Sequence, residues 1–110
     1  MAGSYAGLEL LATAVVLLDE RFAVRYANPA AETLLEISAR GLLGQRFPPL
    51  FSESAELQKA FSEALGAHWD YATQDVSYAR PGRDPLPLVC VLTRVEACDG
   101  ALLVELRPIG

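Results

Sequence analysis

The stretch Tyr26-Ala27-Asn28-Pro29-Ala30-Ala31 constrains the fold more than any other part of the chain, because the pattern switches there from strand alternation to helical spacing within two residues. Upstream, residues 13–18 form a continuous apolar, partly β-branched run. The polar turn Asp19-Glu20-Arg21 follows, and Phe22, Val24 and Tyr26 then alternate with Ala23, Arg25 and Ala27. Two such runs joined by a polar turn read as a β-hairpin. Downstream, Asn28 can accept hydrogen bonds from the orphan amides of a helix start. Pro29 fits the first helical position, where no N–H is needed, and Glu32 complements the positive end of the helix dipole. A helix is therefore expected at Asn28-Pro29, with Ala31, Leu34 and Leu35 as its buried stripe. Capping explains both Asn28 and Pro29, so they are read as scaffold rather than as ligand contacts.

The remaining chain supplies more of both element types. Ser4 can cap a short helix over residues 5–12, whose apolar stripe is Leu8, Leu11 and Ala12. Ser38 can cap a short turn ending near Gly41 and Gly44, and Pro48-Pro49 bars any helix from continuing. Ser52 or Ser54 opens a longer helix in which Leu57, Ala60, Phe61, Ala64 and Leu65 recur at helical spacing, ended by Gly66. An extended pattern runs from Trp69 to Tyr78, breaks over residues 80–85, and resumes at residues 88–95. Asp99-Gly100 is a tight-turn signal before a last strand at residues 101–106. The order is helix, two strands, several helices, three strands. Hairpins at both ends of that order favour an α+β fold, an antiparallel sheet with helices packed on one face. Residues 1–12 are read as a flanking helix and residues 13–110 as one domain.

Composition excludes several classes of function. A chain of 110 residues has the size of one domain. Its net charge is -5, and its nine Lys and Arg residues are scattered along the sequence, which makes nucleic acid and anionic membrane poor partners. The longest nearly apolar run, residues 10–18, is shorter than the ~20 residues a membrane span needs. The first arginine, Arg21, lies beyond that run, the reverse of a signal peptide, so a cytoplasmic location is expected. Cys90 and Cys98 would stand roughly 26 Å apart on an extended strand at ~3.3 Å per residue. A disulfide needs Cα atoms within about 7 Å, which only a sharp turn between them would permit, so two reduced structural thiols are expected.

The hairpin running into Tyr26-Ala27-Asn28-Pro29-Ala30-Ala31, followed by Leu34-Leu35, Leu43-Gly44 and Leu50-Phe51, resembles the PAS family. The string is most similar to the N-terminal domain of NtrB-type nitrogen-regulation sensor histidine kinases, as are the Asp99-Gly100 hairpin and the closing residues 102–108. The resemblance implies a five-stranded antiparallel sheet, short helices cupping one face, and homodimer contacts through the N-terminal helix, here Leu8, Leu11 and Ala12, and nearby sheet. It also implies a regulatory module upstream of a kinase core, in a two-component phosphorelay kinase that answers to the PII signalling protein. No such core is expected in this chain: His68 lacks the Glu that follows a phosphoacceptor His, and there is no Gly-rich nucleotide motif.

Three further readings bear on the chemistry. As a small-molecule sensor of another signalling protein, the chain would hold an apolar cavity lined by Leu35, Leu43, Trp69 and Val91, although Trp69 and Tyr71 serve equally as core filling. As a small isomerase-like enzyme it would use Asp70 or His68 as base, but such folds begin with helices before their strands. As a cofactor protein it lacks the signals: His68 follows the Gly66 stop instead of lying within the long helix, and residues 38–45 contain no Cys for flavin photochemistry. No cofactor, metal or catalytic residue is therefore assigned. Glu53, Glu56 and Glu63 are read with Lys59 as a solvated helix face.

Overall fold

The opening hairpin forms where the alternation places it. A computed structural model describes residues 13–66, 71–80, 82–97 and 100–109. Strand β1 is Ala14–Leu18 and β2 is Val24–Ala27, antiparallel, with Val16 opposite Ala27 and Leu17 opposite Tyr26. Asp19 builds the turn between them, its Oδ1 accepting the N–H groups of Arg21 and Ala23 at 2.8 and 3.0 Å. Phe22 closes that turn at φ 66°. This region is strained for a bulky side chain, and it is tolerated because the ring is buried edge-on against Phe61, with centroids 5.3 Å apart.

Helix α1 (Pro29–Leu35) starts one residue past β2. Asn28 is its cap, fully buried, and its side chain does more than capping requires. The Oδ1 accepts from Ala31 N–H and from Val15 N–H, each at 2.9 Å, and the Nδ2 donates to the Thr13 carbonyl at 2.9 Å. One amide thus joins the start of β1 to the first turn of α1. The helix ends at Glu36 in the left-handed region, φ 58°. Helix α2 (Ala39–Leu42) is capped by Ser38, whose Oγ accepts from Gly41 N–H. Pro48-Pro49 does stop helix continuation, and Pro48–Leu50 itself forms a single 3-10 turn. Helix α3 (Ser54–Gly66) buries Leu57, Phe61 and Ala64 on one stripe.

Strands β3 (Tyr71–Arg80), β4 (Arg83–Ala97) and β5 (Gly100–Pro108) complete a five-stranded antiparallel sheet in the order β2-β1-β5-β4-β3. The strand break expected over residues 80–85 is shorter than the prolines suggested, for β4 already pairs with β3 from Arg83, opposite Arg80. Pro85 and Pro87 fit because β5 has ended there: its last partner pair is Leu88 with Pro108. The Pro87 carbonyl still accepts from Ile109 N–H, so the nitrogens of Pro87 and Pro85 lie on the same open side of the strand, where a missing N–H costs no ladder bond.

Strand parity divides the sheet. Ala14, Val16, Leu18, Leu88, Cys90, Leu92, Leu102, Val104 and Leu106 face the helices and are buried with Leu35, Leu42, Leu57 and Phe61 in one core. The helical layer bonds to part of each sheet edge. Gly44, at φ 85°, turns the chain so that residues 44–47 run along β2, with Gly44 N–H to Val24 O, Val24 N–H to Gln45 O and Phe47 N–H to Phe22 O at 2.8 to 2.9 Å. On the far edge, Ser52 N–H donates to Ser77 O at 3.0 Å and Glu53 accepts Ser77 N–H at 2.7 Å. Glu53 is therefore part of the fold, correcting its assignment to a purely solvated helix face.

Replacing Asn28 with alanine takes the side-chain partner from the buried Val15 N–H and from the half-buried Thr13 carbonyl, while Ala31 N–H keeps the Asn28 backbone carbonyl at 3.0 Å. Each group left without a partner costs about 1–3 kcal/mol, so Asn28→Ala is expected to destabilise the domain by about 3 kcal/mol in urea denaturation. A loss under about 1 kcal/mol would show that water replaces the amide and that the hub is dispensable.

Candidate functional site

In a sheet with a helical cup, the space between the two layers is where a ligand or a reacting group would sit. Here the described residues place a cluster of rings in it. Phe47 and Phe51 meet edge to face at 5.0 Å, Phe47 stacks on Phe61 at 6.3 Å, and Phe51 lies against Tyr78 at 5.8 Å. Phe47 and Phe61 are completely buried. Tyr78 ties this cluster to the cap. Its hydroxyl donates to the Leu35 carbonyl, one of the orphan acceptors at the end of α1, at 2.6 Å. Just beyond, Glu36 pairs with Arg83 from the β3–β4 turn. The end of α1 is thus fastened to β3 and β4 by one buried hydrogen bond and one exposed ion pair.

The titratable groups of this interior are poor catalysts. Burial, assisted by Asp75 and Glu53, pushes the Cys90 thiol up to about 12, so it stays protonated and unreactive at neutral pH. Burial, and then Glu36, also raises Tyr78 above 10.0. Among the described residues, no group of three or more His, Cys, Asp and Glu is placed to hold a metal ion. No helix among them is long and apolar enough to cross a membrane.

Of the four residues expected to line a cavity, the three that are described do not come together. Leu35 is buried in the core, but Leu43 is 50 % exposed at the end of α2, because it follows the last helical residue and Leu42 takes the inward position instead. Val91 has the opposite parity to Cys90 and Leu92, so it stands on the sheet face away from the helices. Trp69 lies outside the described residues, as do His68, Asp70, Cys98 and the stripe of Leu8, Leu11 and Ala12. Asn28 and Pro29 sit at the cap and first turn of α1, where the strand-to-helix pattern put them. What the sequence reading missed is a groove of about 470 Å³ between α1 and the ends of β1 and β5, bordered by Thr13, Ala30, Leu34 and Leu106. That reading named sheet near the N-terminal helix as a contact without its residues; on the outer face Val89, Val91 and Leu103 are only partly covered while Val15 and Leu17 are buried. Periodicity carried the second signal, since these residues occupy the alternate positions of three apolar strands.

A five-stranded antiparallel sheet in this order, with short helices cupping one face and a capping Asn-Pro after the first hairpin, defines a sensory signalling domain. The PAS fold profile matches residues 5–109, and the chain belongs to the PAS family. It is similar to the sensory histidine kinase/phosphatase NtrB of Escherichia coli O157:H7, 32% identical over 102 residues that make up 93% of this chain and 28% of that protein. The crystal structure of the PAS domain of nitrogen regulation protein NR(II) from Vibrio parahaemolyticus superposes with a TM-score of 0.71 at 32% identity, covering 96% of this chain and 97% of that one. The PAS domain of an HTR-like protein from Haloarcula marismortui reaches a TM-score of 0.78 at 17% identity, over 98% of this chain and 90% of that one, and shows the fold alone. The chain therefore spans about 28% of the length of its curated NtrB relatives.

The raised Cys90 pKa sets a pH dependence. A thiol whose folded pKa lies above its unfolded value holds its proton more tightly when folded, so its contribution is intact below pH 9 and declines as pH climbs from 9 toward about 12. Stability is expected to fall there by up to about 1.4 kcal/mol per pH unit, and the Cys90→Ala variant should show a shallower decline. Equal slopes for the two proteins would assign the decline to other groups.

Proposed function

We propose that the chain is the regulatory PAS module of a cytoplasmic nitrogen-regulation histidine kinase, working as a homodimer that passes a change in subunit packing to a kinase core outside these residues. The observation that carries this reading is the match to NtrB across nearly the whole domain. Two features of the fold support it. The space between sheet and helices is occupied by Phe47, Phe51 and Phe61, which suits a module acting through its surfaces. The outer sheet face offers Val89, Val91 and Leu103 as a partly covered aliphatic surface, and Leu8, Leu11 and Ala12 add a further apolar stripe in sequence. Aliphatic faces of this kind are what subunits bury against one another. In the parent protein, the PII signalling protein would govern the kinase core that receives this module's signal, and that core would phosphorylate a response regulator.

Sedimentation equilibrium tests the dimer. The domain is expected to be dimeric at micromolar concentration, and Val91→Lys to be monomeric yet folded, because the new ammonium lies opposite Glu105 on β5. A wild-type chain that stays monomeric up to about hundreds of micromolar, a range in which even weak transient interfaces associate, would overturn the reading.

A further inference from the structure

We infer that the edge made by β2 and residues 44–47 is a docking surface for an acidic segment of a partner protein. Residues 21–31 and 37–52 carry Arg21, Arg25, Arg40 and Arg46, four of the chain's nine cationic side chains, and none of its fourteen acidic ones. The fold lays these two stretches against each other. Arg46 is the cross-strand partner of Ala23, which lies two residues from both Arg21 and Arg25, and the backbone bonds of Val24 with Gly44 and Gln45 hold them there. Arg40 joins from α2, where the Gln45 side chain donates back to the Gly41 carbonyl.

The acids between the two stretches are turned to other work. Glu32 accepts Ala39 N–H at 2.7 Å, and Glu36 pairs with Arg83. All four arginines are exposed. Among the described residues none of them forms an ion pair, and Arg46 donates only to the neutral Gln58 at 3.1 Å. Cationic scatter in the sequence thus becomes a local cationic edge on a molecule of net charge -5.

The chemistry of the partner follows from range and from Leu43. A long polyanion meets the acidic remainder of the domain as well as this edge, whereas a short carboxylate segment meets the edge alone, since screening confines each charge to about 8–10 Å in physiological salt. Leu43, 50 % exposed and lying between Arg40 and Arg46 in sequence, supplies an apolar anchor on the segment that carries both arginines. That combination fits a protein segment of Asp and Glu around an aliphatic residue, with arginine forks to hold the carboxylates.

The probe is a short synthetic peptide of glutamates and aspartates around a central leucine, titrated into the labelled domain and followed by amide chemical shifts. Shifts confined to residues 21–25 and 40–46, weakened severalfold by high salt, are expected. The paired variant Arg25→Glu/Arg40→Glu should bind at least about tenfold more weakly at an unchanged melting temperature, and Leu43→Ser should weaken binding at unaltered charge. Shifts on another face, binding unaffected by the charge reversal, or equal binding of a DNA oligonucleotide through the same residues would each overturn the proposal.

Discussion

A buried amide has no water to satisfy it, so the place where Asn28 sits dictates how three pieces of chain must meet. Its oxygen takes the N–H groups of Val15 and Ala31, and its nitrogen reaches the Thr13 carbonyl. The first residues of β1 and the first turn of α1 are therefore held by one side chain. Neither strand nor helix can shift without stranding a polar group in the core. Because β1 also pairs with β5, the constraint extends to the far half of the sheet.

Around that hub the interior is completed by rings. Phe22, Phe47, Phe51, Phe61 and Tyr78 come from the β1–β2 turn, the segment after α2, α3 and β3, so the cluster fastens every layer of the cap to the sheet. The same helical layer supplies backbone partners to both sheet edges. Exposed edges are templates for unwanted pairing, and these bonds blunt both of them at the positions they reach. A ring cluster inside and a partly apolar outer face are the features on which the proposed signalling through surface packing rests.

The comparison with NtrB and the physical reading agree on where function is to be sought. Cys90 is held protonated, and Asn28 is committed to backbone bonds. Neither offers a nucleophile or an acid to a substrate. The groove beside α1 lies where the chain enters β1 and leaves β5, next to the Asn28 hub, so anything seated there would press on the joint between strand and helix.

The sequence alone determined the element order and the strand-to-helix junction, because hydrophobic period, a capping Asn and a first-turn Pro are local properties that act over a few residues. It also determined the antiparallel hairpins and, through the resemblance of the junction's residue string to known members, pointed to the family. Tertiary structure decided what depends on parity and on distant partners. Val91 is aliphatic in sequence whichever face it takes, and only the register with β5 turns it outward; Leu43 and Leu42 are adjacent leucines, and only the exit of α2 exposes one of them. Glu53 reads as one more surface acid until Ser77, 24 residues away, presents its N–H. The four arginines are scattered in the chain and become one edge when residues 44–47 pair with β2, since long-range backbone pairing brings together charges that linear spacing keeps apart.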